Sequence, residues 1–238
     1  MPDYRVFAPA KEGKSAVTQN PVTAIDILLE PDATMIQHAQ AANVLLLKNF
    51  PKGFKLGNEH QPHVTVLQRH VYTAELNKLF AAAAQVFATE KVTSWKLTAF
   101  RYYYIPQKDI GLGGIVAKPT PDLLRLQNKL IDAVAPFTAP KGTAAAYATT
   151  PQDPDILPAV IDYVTAFVPE HSGAHYSPHV TIGVGTARCL DAMLAAPFPT
   201  FTFGFVGASV YHLGNYGTAM TKLHSFELSQ QGPISQVA

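Results

Sequence analysis

Five residues, Pro62-His63-Val64-Thr65-Val66, return almost unchanged as Pro178-His179-Val180-Thr181-Ile182. This repeat constrains the chain more than any other feature. Each proline biases its predecessor, Gln61 or Ser177, toward extended backbone, and the β-branched residues that follow favour a strand. Side chains alternate along a strand, so His63 and Thr65 share one face while Val64 and Val66 share the other. His179 and Thr181 repeat the arrangement against Val180 and Ile182. Each copy therefore presents an imidazole beside a hydroxyl.

A solvated sheet face has no need of that pair, and a single copy would carry little meaning. Two copies match a specific chemistry. Cleavage of a phosphodiester needs one group to take a proton from the attacking oxygen and another to protonate the leaving oxygen, and two imidazoles near neutral pH can share the work. Hydroxyls on the same faces can donate to the nonbridging oxygens as charge develops. His63, Thr65, His179 and Thr181 are the candidate catalytic residues, and the scheme calls for no metal and no cofactor.

Two His-x-Thr-hydrophobic strands in a chain of this length resemble the two-histidine phosphoesterases, the 2'-5' RNA ligase-like superfamily. The order of strands and helices agrees over most of the chain, and Tyr211-His212-Leu213-Gly214-Asn215-Tyr216-Gly217-Thr218 is similar to the closing strand-turn-strand of bacterial members. The resemblance implies an α+β fold of two lobes: two small antiparallel sheets with helices outside and a motif strand from each facing a central cleft. It implies hydrolysis of 2',3'-cyclic phosphates, 2'-5' linkages or related RNA ends, by paired histidines whose acid and base roles stay open. Stacking of a base on aromatic rings makes Tyr176 and the tyrosines at 102–104, Tyr104 foremost, candidates for substrate binding.

With 18 basic and 17 acidic residues the net charge is +1, which argues against long nucleic acid, a ligand held by neutralising many phosphates. A small nucleotide or an RNA end is the expected partner, and a monomer the expected assembly. With 47% hydrophobic and 15% charged residues the chain can pack a sizeable core. The one cysteine, Cys189, excludes a disulfide framework and suits a small apolar role in a helix. No run is long and apolar enough to span a membrane. Met1-Pro2-Asp3-Tyr4-Arg5 lacks the plan of a signal peptide, so the expected compartment is the cytoplasm, with an exported form already trimmed of its signal left open.

Residues 1–20 have no period and read as a loosely held arm, and 21–238 as one bilobal domain. Residues 22–29 read as a buried strand, and Asp32 as the cap of a helix along Met35, Ile36, Ala39, Ala42, Leu46 and Leu47. Thr73 is expected to cap a second helix with Leu76, Leu79, Phe80, Ala83, Val86 and Phe87 inward. Residues 92–105 and 112–117 read as a hairpin completing the first lobe. Thr120-Pro121-Asp122 opens a helix with Leu123, Leu126, Leu130, Ile131 and Val134 buried.

Residues 136–177, broken by Pro140, Gly142, Pro151, Pro154 and Pro158, read as an insertion outside the core, holding a short helix over 160–168 in reach of a lid role. Thr186 is expected to cap a helix with Leu190, Met193 and Leu194. Phe201, Phe203 and Phe205 alternate as one strand, and strands over 209–213 and 219–228 finish the second lobe. The plan is an internal duplication of consecutive halves, with parallel crossovers beside antiparallel hairpins.

Two rival readings remain. His171, His175 and His179 have the spacing of metal ligands on one helical face, but Ser177-Pro178 breaks that helix. Gly111-Leu112-Gly113-Gly114 lacks the length and the lysine of a phosphate loop. A metal-dependent hydrolase and a nucleotide-binding module without turnover are thus the alternatives to the two-histidine reading.

Overall fold

The computed structural model describes residues 20–228 apart from residue 152, so the expected arm, residue 20 excepted, lies outside the described residues. Strand β1 (Val22–Pro31) leads through Asp32, whose carboxylate accepts from the Thr34 and Met35 amides, into helix α1 (Ala33–Asn49). The first motif opens β2 (Val64–Tyr72), with His63 immediately before it. Helix α2 (Leu76–Ala88) follows, then the hairpin of β3 (Leu97–Gln107) and β4 (Ile110–Ala117), and α3 (Pro121–Val134), capped by Thr120 as expected. After α4 (Pro158–His171) come β5 (His179–Thr186) with the second motif, α5 (Ala187–Ala195), β6 (Phe201–Phe203), β7 (Phe205–Leu213) and β8 (Ala219–Phe226).

The strands form two four-stranded sheets, ordered β2-β1-β7-β8 and β5-β4-β3-β6, with every pairing antiparallel. The fold class is the expected α+β, but the lobes are not consecutive halves. The β3–β4 hairpin joins the second motif's sheet, and β7 with β8 joins the first motif's. Nor do parallel crossovers occur among the described strands. The Phe201-Phe203-Phe205 run is cut at Gly204, where the chain leaves one sheet for the other. Asp32 clamps that crossing, accepting from the Gly204 amide at 2.7 Å while its own amide donates to the Gly204 carbonyl at 2.9 Å.

The helices are exchanged too. α1, which links β1 to β2, packs on β5, and α3, which links β4 to β5, packs on β2. Both motif strands carry a bulge at the last residue of the pentapeptide. Val66 and Ile182 have no cross-strand partner, since the register passes from Leu67 to Thr65 and from Gly183 to Thr181. A bulge leaves a carbonyl outside the ladder, and a buried carbonyl needs a donor. Gln127 of α3 donates to the Val66 carbonyl at 2.9 Å, and Asn43 of α1 to the Ile182 carbonyl at 2.8 Å. A helix from one half thus holds the motif strand of the other.

The largest core unites the helix-facing side of β1 (Ile25, Ile27, Leu29) with α2, α3 and the inner faces of both motif strands. The insertion belongs to the packed interior, contrary to expectation. Ala146, Tyr147, Ile156 and Val164 form a buried cluster with Ala24 and Leu213, and Phe167 and Tyr176 join the main core. A fully buried Phe is worth roughly 1.5–3 kcal/mol over an exposed one, so 136–177 contributes to the stability of the core. Thr73 is a second correction. It caps no helix, because its hydroxyl meets that of Thr23 at 2.8 Å and a single 3-10 turn precedes α2. Leu194 is a third: it is exposed, while Thr186 caps α5 as expected.

Candidate active site

The two sheets turn their motif strands toward one cavity of about 430 Å3. His63, Thr65, His179 and Thr181 all line it. In each motif the imidazole Nδ1 faces the carbonyl two residues back, Gln61 at 2.6 Å and Ser177 at 2.8 Å. The X-Pro step supplies that geometry, since it holds Gln61 and Ser177 extended. Because a carbonyl only accepts, Nδ1 carries the proton in both rings and Nε2 is the nitrogen left for chemistry.

The surroundings of the two Nε2 atoms differ. His63 is buried, and its Nε2 lies 3.3 Å from Oδ2 of Asp26, a fully buried carboxylate on β1. The same oxygen accepts from the Thr65 hydroxyl at 2.7 Å and from Gln68 Nε2 at 3.0 Å. Both nitrogens of His63 therefore face acceptors, which suits the imidazolium. Burial alone would push the group down, but the hydrogen bond and charge of Asp26, aided by the Gln61 carbonyl, outweigh it and hold His63 above the ordinary histidine value.

His179 is half-buried, edge-on to the Tyr103 ring at 4.9 Å between centroids. Burial pushes its pKa down; the Ser177 carbonyl opposes this in part, the charge of nearby His63 adds to it, and Asp26 is too weak an influence to reverse it. The position corresponding to Asp26 is Leu112. Asp26 pairs with Gln68, three residues after Thr65, as Leu112 pairs with Val184, three residues after Thr181. Among the described residues, the Thr181 hydroxyl has no hydrogen-bond partner.

Tyr176 stands in the cavity wall, but its hydroxyl donates to the Thr65 carbonyl at 2.5 Å and its ring is buried. That bond ties the approach to the second motif onto the first. Tyr104 is not in the cavity. Alternation along β3 turns it to the other face, where its hydroxyl donates to Asp191 of α5 at 2.7 Å. The cavity tyrosine of that run is Tyr103, which lies over Gly114, where any Cβ would collide with its ring. The apolar part of the wall is Ile105, Leu112 and Tyr216 with Leu157, Ala159, Val160, Tyr163 and Phe167 of the insertion, and Gln68, Gln107, His171, His175, Ser177 and Gly217 line the cavity as well.

The expected break at Ser177-Pro178 is present. His171 ends α4, His175 sits in a 3-10 turn and His179 opens β5, and no group of three or more His, Cys, Asp or Glu among the described residues is placed to hold a metal ion. No described helix is long and apolar enough to cross a membrane.

No family model and no curated protein matches the chain. Among solved structures, TT0787 of Thermus thermophilus is similar at 15% identity with a TM-score of 0.52, over 88% of this chain and 100% of that one. This chain has the two-histidine phosphoesterase fold. More distant similarities are to Escherichia coli LigT complexed with NADP+, 14% identical over 88% of this chain and 99% of that one with a TM-score of 0.44, and to Kluyveromyces marxianus Usb1, 10% identical over 86% and 98% with a TM-score of 0.41. In this fold the exchanged hairpins and helices bring residues far apart in sequence, 63–65 and 179–181, to one cavity.

Proposed function

We propose that the protein is a member of the two-histidine phosphoesterases and a metal-independent phosphodiesterase, with His179 as general base and His63 as general acid. The observation that carries this reading is the convergence of two His-x-Thr strands, one from each sheet, on a single cavity. Candidate substrates are 2',3'-cyclic nucleotide phosphates, 2'-5'-linked oligonucleotides and RNA ends.

His179, its Nδ1 proton held by the Ser177 carbonyl, offers the Nε2 lone pair to the attacking water or hydroxyl. As the new P–O bond forms and the ester P–O bond breaks, the leaving oxygen takes a proton from His63, which Asp26 has kept charged. His179 ends protonated and His63 neutral, and exchange with water resets them. In this reading the Thr181 hydroxyl, which lines the cavity, donates to a nonbridging oxygen, and preorganised donation of this kind is a large part of catalysis by such sites. Thr65 serves the same oxygens only by giving up its bond to Asp26.

The test is turnover of a panel of these substrates in excess chelator. Hydrolysis that persists unchanged supports the reading. Loss of all turnover in chelator, restored by zinc or manganese, replaces it with the metal-dependent alternative; binding of nucleotide with no turnover under any condition replaces it with the binding module.

A further inference from the structure

Resting on the phosphodiesterase reading, we propose that the substrate is a monoanionic phosphodiester whose other substituent is uncharged and ring-bearing, and that the cavity rejects any second phosphate. The inference comes from what surrounds the motif residues. No lysine or arginine lines the cavity among the described residues, and its four histidines, His63, His171, His175 and His179, are the only lining groups able to carry positive charge. His63 already faces Asp26, and His171 stacks on Tyr163 at 4.2 Å between ring centroids.

The carboxylate behind the cavity floor adds to the discrimination. Asp26 is fully buried, its Oδ1 has no partner among the described residues, and its charge lies beside His63 and Thr65. One phosphodiester charge is answered by the His63 imidazolium. A second would meet no lysine or arginine, only the His171 and His175 rings, and a phosphate charge against apolar walls without a strong cationic partner is disfavoured. Proteins that hold terminal phosphates or track oligonucleotides place guanidinium or ammonium groups along the path; here the described lining offers neutral Gln68, Gln107 and Ser177 and the rings of His171 and His175 among mostly aliphatic and aromatic groups.

Beyond the motifs the apolar lining comes from Leu157, Ala159, Val160, Tyr163 and Phe167 of the insertion and from Tyr103 and Ile105 of β3. Its volume, about 430 Å3, lies near the lower end of the roughly 300–1,000 Å3 typical of small-molecule sites. A flat ring system against such walls gains apolar burial and aromatic stacking without needing charge. Among the candidate substrates this selects a nucleoside 2',3'-cyclic phosphate with a free 5'-hydroxyl, and disfavours 5'-phosphorylated ends and longer oligonucleotides.

The experiment compares matched pairs: a nucleoside 2',3'-cyclic phosphate and the same compound bearing a 5'-phosphate, assayed for kcat and KM with the full chain. The expected result is a loss of at least about tenfold in kcat/KM on adding the 5'-phosphate, mostly in KM, because a buried unpaired charge weakens binding. Two variants supply the missing cation at exposed lining positions, Ala159→Lys on α4 and Ile105→Lys on β3, with thermal melting as a check of folding. At least one should narrow the gap between the pair severalfold. Equal or better turnover of the 5'-phosphorylated compound by the unmodified protein overturns the inference and leaves the phosphodiesterase reading standing. No turnover of either member, nor of any phosphodiester in the panel, removes both.

Discussion

The two motif sites share a backbone plan and differ in one buried charge. Each has an X-Pro step, an Nδ1 held by the carbonyl two residues back, a bulge at the fifth residue, and an amide side chain from the opposite half on the bulge carbonyl. At the position paired with the third residue beyond the threonine, β1 carries Asp26 and β4 carries Leu112. Duplication therefore supplies two equivalent imidazoles, and a single carboxylate makes them unequal, raising His63 while His179 stays low. A pair with separated pKa values is what acid and base roles require.

The most severe way to break the comparison is to remove either ring. His63→Ala and His179→Ala are each expected to lower kcat by about a hundredfold or more, with folding retained, since both side chains border the cavity. Each should delete a different limb of the pH profile. Without His63 the fall in rate at alkaline pH goes; without His179 the fall at acid pH goes. A folded His63→Ala protein with full activity would leave the repeat without chemistry.

A finer cut is Asp26→Asn, which keeps acceptors for Thr65 and Gln68 but takes the charge from His63. The acid must be protonated to work, so the alkaline limb sits at the His63 pKa, held above the ordinary value of about 6.5 by Asp26. With that support gone, burial dominates and the limb should move below about 6.5, so activity at pH 7–8 falls about tenfold or more while activity near pH 6 falls less. A profile that only scales down, with its limbs in place, would make Asp26 a packing residue.

The motif strands, the caps at Asp32, Thr120 and Thr186, and the buried stripes of α2 and α3 were legible in the sequence because they depend on local rules. Strand partnership was not. Phe201, Phe203 and Phe205 alternate without interruption, and nothing local says that Gly204 divides them between sheets. Consecutive strands usually neighbour one another, so local pattern alone puts the β3–β4 hairpin beside the first motif, whereas it pairs with β5. Asp26 was hidden by a reading of residues 22–29 as a plain buried strand. A lone carboxylate among Ala24, Ile25, Ile27 and Leu28 was nevertheless a signal, because buried acids are rare without a partner. Gln127, between Leu126 and Leu130 on an apolar stripe, was a signal of the same kind. The place of Tyr103 rather than Tyr104 in the cavity turned on the register of β3, which composition does not reveal.

The most direct measurement is the titration of each imidazole, followed by nitrogen chemical shifts in the protein labelled at histidine and assigned with the two alanine variants. The account predicts that His63 titrates above about 6.5 and His179 below it, with neutral His179 protonated at Nδ1, and that Asp26→Asn moves His63 downward far more than it moves His179. His179 titrating above His63, or an order that survives the loss of Asp26 unchanged, would contradict it.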